Sequence, residues 1–185
     1  GMLEVVHRLF LPPSGVELVR KVVLDGGLEV TLAGPLARGQ RSLEQAPDRV
    51  SRAYASMILG LALIGQDDHD QARTILEPMV TELKGFAIPQ WHGFATALTA
   101  ETYRLDARLD VAGTLVERAL DLMTRAQDGY GVAFAQRVGA CLALDRGACD
   151  EATATFDDAL RTFERIGARF EAQQTRDERD RVKAR

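Results

Sequence analysis

The chain has 185 residues, of which 46% are hydrophobic and 27% charged, enough apolar material to bury a core in one domain rather than two. Charges of both signs are interspersed and the net charge is only -4, which excludes the signature of disorder and the basic excess of a nucleic-acid binder. The two cysteines, Cys141 and Cys149, cannot make a disulfide framework and read as reduced thiols, which points to the cytoplasm.

At the start, Glu4 and Arg8 interrupt what would have to be an apolar stretch, so no secretion signal is expected. Residues 16–24 suit a short helix stopped by Asp25, Gly26 and Gly27, while Leu28, Val30 and Leu32 alternate in a way that also suits a strand. Residues 35–47 read as the second helix of a degenerate repeat, with Pro35 at a first helical position. Residues 1–47 are therefore expected to form an N-terminal cap and degenerate repeat. The uncharged run 53–66 is too short to cross a bilayer but suits a buried helix.

From here the chain repeats itself without gaps, with a 40-residue period. Tyr54, Phe94 and Phe134 align, as do Ala55, Ala95 and Ala135, then Asp70, Asp110 and Asp150, then Ala72, Ala112 and Ala152. Apolar positions follow: Leu76, Val116 and Phe156; Met79, Ala119 and Ala159; Val80, Leu120 and Leu160; Leu83, Met123 and Phe163. Their spacing describes one face of an amphipathic second helix, and the aligned aspartates are expected to cap it. First helices rich in Ala and Gly are expected over 53–64, 93–105 and 133–144, with Trp91 and Tyr130 just ahead of theirs, at a rim. The turns fall at 65–68, at Leu109 and at 145–148, and breaks between hairpins at 85–89 and 127–131, where Pro89 cannot continue a helix interior. Three full repeats follow, at about 48–87, 88–127 and 128–167. The tail 168–185, apolar near its start at Phe170 and then heavily charged, suits a polar capping helix with little to bury, or a lead into a further domain.

Chemistry-bearing motifs are scarce. There is no Walker A loop, GxGxxG fingerprint or HExxH pair. Asp67, Asp68, His69 and Asp70 could hold a divalent cation, but a solvated turn with a capping aspartate is the favoured reading. Cys141, Cys149, His69 and His92 lack the paired spacing of a structural zinc site, and no base or oxyanion site accompanies either thiol. No catalysis, cofactor or metal is expected.

These residues resemble the tetratricopeptide (TPR) family, in which a small first-helix residue precedes a second-helix alanine by twelve positions and a bulky residue follows that alanine by four. Here Gly60, Ala100 and Ala140 precede Ala72, Ala112 and Ala152, and Leu76, Val116 and Phe156 follow, over residues 50–167. The period is longer than the 34-residue repeat of the family, and its first-helix tryptophan and terminal proline are missing. The additional residues lengthen the helices or the connections, by about 9 Å if all are helical. HEAT and armadillo repeats share the length range. The longer repeat is similar to those of bacterial signalling ATPases, including maltose-activator-like LuxR-type regulators, whose terminal repeats residues 152–175 resemble. The resemblance implies an all-α solenoid and a non-enzymatic protein-interaction module of signalling or transcription regulation. Its groove would be lined by Tyr54, Met57, Leu61, Phe94, Ala97, Glu101, Arg104, Phe134, Arg137 and Cys141, as exposed positions. The aromatic members could equally pack between hairpins. The expected partner is a protein or peptide, with no direct nucleic acid and no membrane. A small-molecule sensor and a homo-oligomeric scaffold are the alternatives.

Overall fold

A computed structural model of the chain describes residues 49–183. The expectations for the N-terminal cap, for a helix over 35–47 and for a strand near 28–32 lie outside the described residues. The chain divides into two compact units, residues 1–75 and 76–185.

All regular structure among the described residues is helical: α1 (Arg49–Ile64), α2 (His69–Leu83), α3 (Pro89–Leu105), α4 (Leu109–Arg125), α5 (Gly129–Asp145), α6 (Cys149–Arg165) and α7 (Arg169–Lys183). Helices start at 49, 69, 89, 109, 129, 149 and 169, so a 20-residue backbone repeat underlies the 40-residue repeat of the side chains. Helices α3 to α6 have 17 residues each. The extra length over the 34-residue family pattern has gone into the helices, since the connections between these four are three-residue turns.

Five of the six turns among the described residues share one hydrogen-bond pattern, the exception being the one between α2 and α3. After α3, the Arg108 amide donates to the Tyr103 carbonyl and the Ala107 amide to Arg104, each at 2.9 Å. This is the Schellman arrangement, in which one left-handed residue lets two amides close the last helical turn. It recurs with Asp67, Gln127, Gly147 and Gly167 at the left-handed position, at φ 60°, 54°, 80° and 75°. Only two of the five are glycine, which is why the sequence announces these stops weakly.

First helices start about four residues earlier than expected. Pro89 opens α3 instead of separating two elements, because the first helical position needs no amide hydrogen and proline's fixed φ already suits it. Trp91 and Tyr130 consequently lie inside α3 and α5. Leu109, expected in a turn, is the first residue of α4. The aligned aspartates are also displaced. Asp110 is the second residue of its helix, behind an Arg108 N-cap that makes no side-chain cap bond, and Asp150 stands likewise behind Ala148. Each complements the helix dipole without capping. The caps are Asp68, accepting from the Gln71 amide at 3.2 Å, and Asp128, accepting from Gly131 at 3.1 Å.

Second helices bury one stripe, the aligned one: Ala72, Leu76, Met79, Val80 and Leu83; Ala112, Val116, Ala119 and Met123; Ala152, Phe156, Ala159, Leu160 and Phe163. Within residues 76–185 each helix from α3 onward packs on the next, and α3 also packs on α5. First helices are therefore covered on several sides, and small residues make that possible. A Cβ on Gly93 would stand 2.6 Å from Met123 Cγ, and one on Gly131 2.3 Å from Met123 Sδ, so Met123 is wedged between α3 and α5. Buried hydroxyls are satisfied within their own helix: Thr96 donates to the His92 carbonyl at 2.7 Å and Thr99 to Ala95 at 2.8 Å.

Candidate binding face of the first helices

In the second unit, α3 and α5 carry groups expected to line a groove, and α7 supplies partners to those on α5. The core of the face is ionic. Glu101 accepts two hydrogen bonds from Arg104, from Nε and Nη2, each at 2.8 Å, while Arg104 Nη1 reaches Asp145 of α5 at 2.5 Å. One repeat on, Arg137 donates to Gln174 of α7 at 3.0 Å and pairs with Glu178 at 3.2 Å, and Glu178 also lies 4.0 Å from the Cys141 sulfur. The Tyr130 hydroxyl donates to Glu171 at 3.0 Å. Partners are 41 residues apart in Arg104–Asp145 and Tyr130–Glu171, and 37 apart in Arg137–Gln174 and Cys141–Glu178. Successive first helices therefore meet one residue ahead of, or three behind, the 40-residue register.

Burial gives this network its electrostatic character. Side chains of Arg104, Arg137 and Glu178 are 14%, 17% and 15% exposed, respectively, so these pairs are shielded far better than surface pairs. Burial opposes the charge on Arg137, but the field of Glu178 outweighs it and the guanidinium holds its proton more tightly than usual. Burial, with Glu178 and Glu101 adding to it, pushes the Cys141 thiol up to about 12. Such a thiol is not a nucleophile near neutral pH. Burial and the neighbouring Glu171 likewise raise the Tyr130 phenol well above its ordinary range.

The aromatic row packs between hairpins. Phe94 and Phe134 rings lie 4.7 Å apart, Phe94 and Tyr130 stack at 6.5 Å, and Tyr130 meets Phe163 edge-on at 5.7 Å. The Arg137 guanidinium sits 5.8 Å from the Phe134 ring centre. Of the residues expected to be exposed, Phe134, Ala97 and Met57 are buried, which corrects that expectation. Phe134 is covered by its neighbours in the row, and Ala97 lies on an α3 buried along most of its length. Phe94, Glu101, Arg104, Arg137 and Cys141 are half-buried, and the structure brings the last four into one cluster. Tyr54 and Leu61 lie half-buried on α1 in the other unit.

Sequence reasoning missed Asp145, Glu171, Gln174 and Glu178. Against the expectation of a tail with little to bury, α7 buries Glu171, Ala172, Thr175 and Val182 and accepts hydrogen bonds from Tyr130 and Arg137 of α5. The available signal was complementarity at a separation of 41, which pairs Arg104 with Asp145, Tyr130 with Glu171 and Arg137 with Glu178.

Elsewhere, Asp68 acts as a cap, Asp70 pairs with Arg73, and His69 Nε2 lies 3.8 Å from Asp67. Among the described residues no group of three or more His, Cys, Asp or Glu is arranged to hold a metal ion, and no helix is long and apolar enough to cross a membrane. A cavity of about 440 Å³ between the end of α6 and the start of α7 is lined by Phe163 and Ala172 but also by Glu164, Arg169 and Arg176, so it is not a dry pocket.

No protein-family model matches the chain, and no curated protein matches it. Solved structures do. The nearly identical TPR-like repeats of a kinesin light chain-like protein of Podosopora anserina superpose with a TM-score of 0.56 at 16% identity, covering 96% of each chain. A singly substituted form of that protein gives the same TM-score and identity over 96% of this chain and 95% of its own. The fold is thus an all-α solenoid of TPR-like helical hairpins.

Proposed function

We propose that this chain is a non-enzymatic interaction module that recognises a protein or peptide through the face of α3, α5 and α7. The observation that carries this reading is the row of charged and polar groups on three successive first helices, held in fixed geometry by contacts one repeat apart. A half-buried row of charged and polar groups offers a partner both anchoring and orientation, and rigidity lowers the ordering cost of association. The raised pKa of Cys141 counts against that thiol as a nucleophile within the face. The net charge of -4 supports a protein partner over nucleic acid. A place in a cytoplasmic bacterial signalling or transcription regulator is supported by the 40-residue repeat and by the likeness of residues 152–175 to the closing repeats of such proteins.

Charge reversal tests the face. Asp145→Arg alters its more open edge, and Asp158→Arg makes the same change on the exposed side of α6. With both variants folded by circular dichroism, affinity capture should lose the partner at least tenfold for Asp145→Arg and keep it for Asp158→Arg. Equal retention by the two variants would remove the face from recognition.

A further inference from the structure

A buried titratable group stands apart from the ion pairs of the face. His92 lies in the first turn of α3, 7% exposed, with its Nε2 3.4 Å from Nη2 of Arg118 on α4. A guanidinium can only donate, so the contact requires Nε2 to accept and the ring to be neutral, with its proton on Nδ1. Among the described residues the charges acting on the ring are Arg118 from α4 and Lys84 from just after α2, both positive, with none from α5, which also packs on α3. The neighbouring packing is close, because Met123 of α4 sits within 2.6 Å of where a Cβ on Gly93 would stand.

We propose that the His92–Arg118 contact is a proton-sensitive latch between α3 and α4: a proton taken from solvent onto Nε2 turns a donor–acceptor contact into two facing cations and loosens this hairpin. Burial, Arg118 and Lys84 all lower the pKa of the ring. The unfolded chain, whose histidine titrates near about 6.5, therefore takes up the proton first. The latch's contribution is fully present above that pH and is lost as pH falls from there through the lowered folded value.

The test follows the ring and the hairpin together. In the wild-type chain, NMR titration should show His92 protonating below the ordinary histidine range, with the Nδ1–H tautomer at neutral pH. Hydrogen exchange, corrected for its intrinsic pH dependence, should show α3 and α4 losing protection relative to α6 between pH 7.5 and 5.5. His92→Gln keeps an acceptor that does not titrate and should abolish that selective loss. Should that variant fail to fold, Arg118→Gln should move the ring's titration upward. Titration of wild-type His92 at or above the ordinary value, or the same selective loss in His92→Gln, would overturn the latch.

Discussion

Single residues decide how each helix begins and ends. Asp128 holds the Gly131 amide, whereas Asp110 caps nothing and lies 3.7 Å from Arg146 as a fully exposed carboxylate. Asp128→Ala should therefore lower stability by about 1 kcal/mol in chemical denaturation, and Asp110→Ala by well under that. Equal losses would restore the capping role that the 40-residue alignment suggested. At the other end of the helix, Ala107 holds a left-handed backbone at φ 58°. That conformation costs an L-residue about 1–2 kcal/mol, part of which glycine's greater unfolded freedom offsets. Ala107→Gly should raise stability by about 0.5–1 kcal/mol, and a loss would contradict the turn geometry. The two thiols should also differ. Cys141 is half-buried with its pKa pushed up to about 12, and Cys149 is exposed. At pH 8 iodoacetamide should modify Cys149 alone in the folded chain, with Cys141 reacting only after denaturation.

At the scale of elements, the helices meet through small residues and large ones seated against them. Gly93→Ala would bring a Cβ to within 2.6 Å of Met123, which has no exposed surface. Overpacking costs about 1–3 kcal/mol against a gain of about 1 kcal/mol in helix propensity, so a net loss of about 1 kcal/mol is expected. Gly129, where a Cβ would meet nothing within 4 Å, should accept alanine without loss. Phe94 packs on Phe134 and Tyr130, so Phe94→Ala should cost about 2 kcal/mol, less than a fully buried phenylalanine, by urea denaturation. Unchanged stability would mean that the ring serves the face alone. The stripe on each second helix was legible in the sequence because those helices bury one side, and burial on one side leaves a 3.6-residue pattern. First helices are buried on several sides, so their pattern is blurred and their starts at Pro89 and Gly129 were hidden behind residues that usually punctuate loops.

For the molecule as a whole, two periods coexist. The backbone has a 20-residue step and the side chains a 40-residue one, because alternate helices meet different neighbours. The longer period was visible in the sequence, and with it the all-α solenoid. The shorter one was not, since three of its five left-handed turn residues are Asp67, Ala107 and Gln127. Of the candidate face, Glu101, Arg104 and Arg137 were legible as charges on one side of a helix. Their partners on α5 and α7 were not, because a contact between helices is set by a register offset that the repeat alone does not specify. The same offsets make the Arg137 cluster a property of the stack, since neither α5 nor α7 carries it alone.

The measurement that bears most directly on this account is photo-crosslinking in cells of the source organism, with a photoreactive residue at position 174 on α7 or at position 158 on α6. One partner protein, distinct from the chain itself, should be captured from position 174 and be absent from position 158. Equal capture from both positions, or capture of only a second copy of the chain, would contradict it.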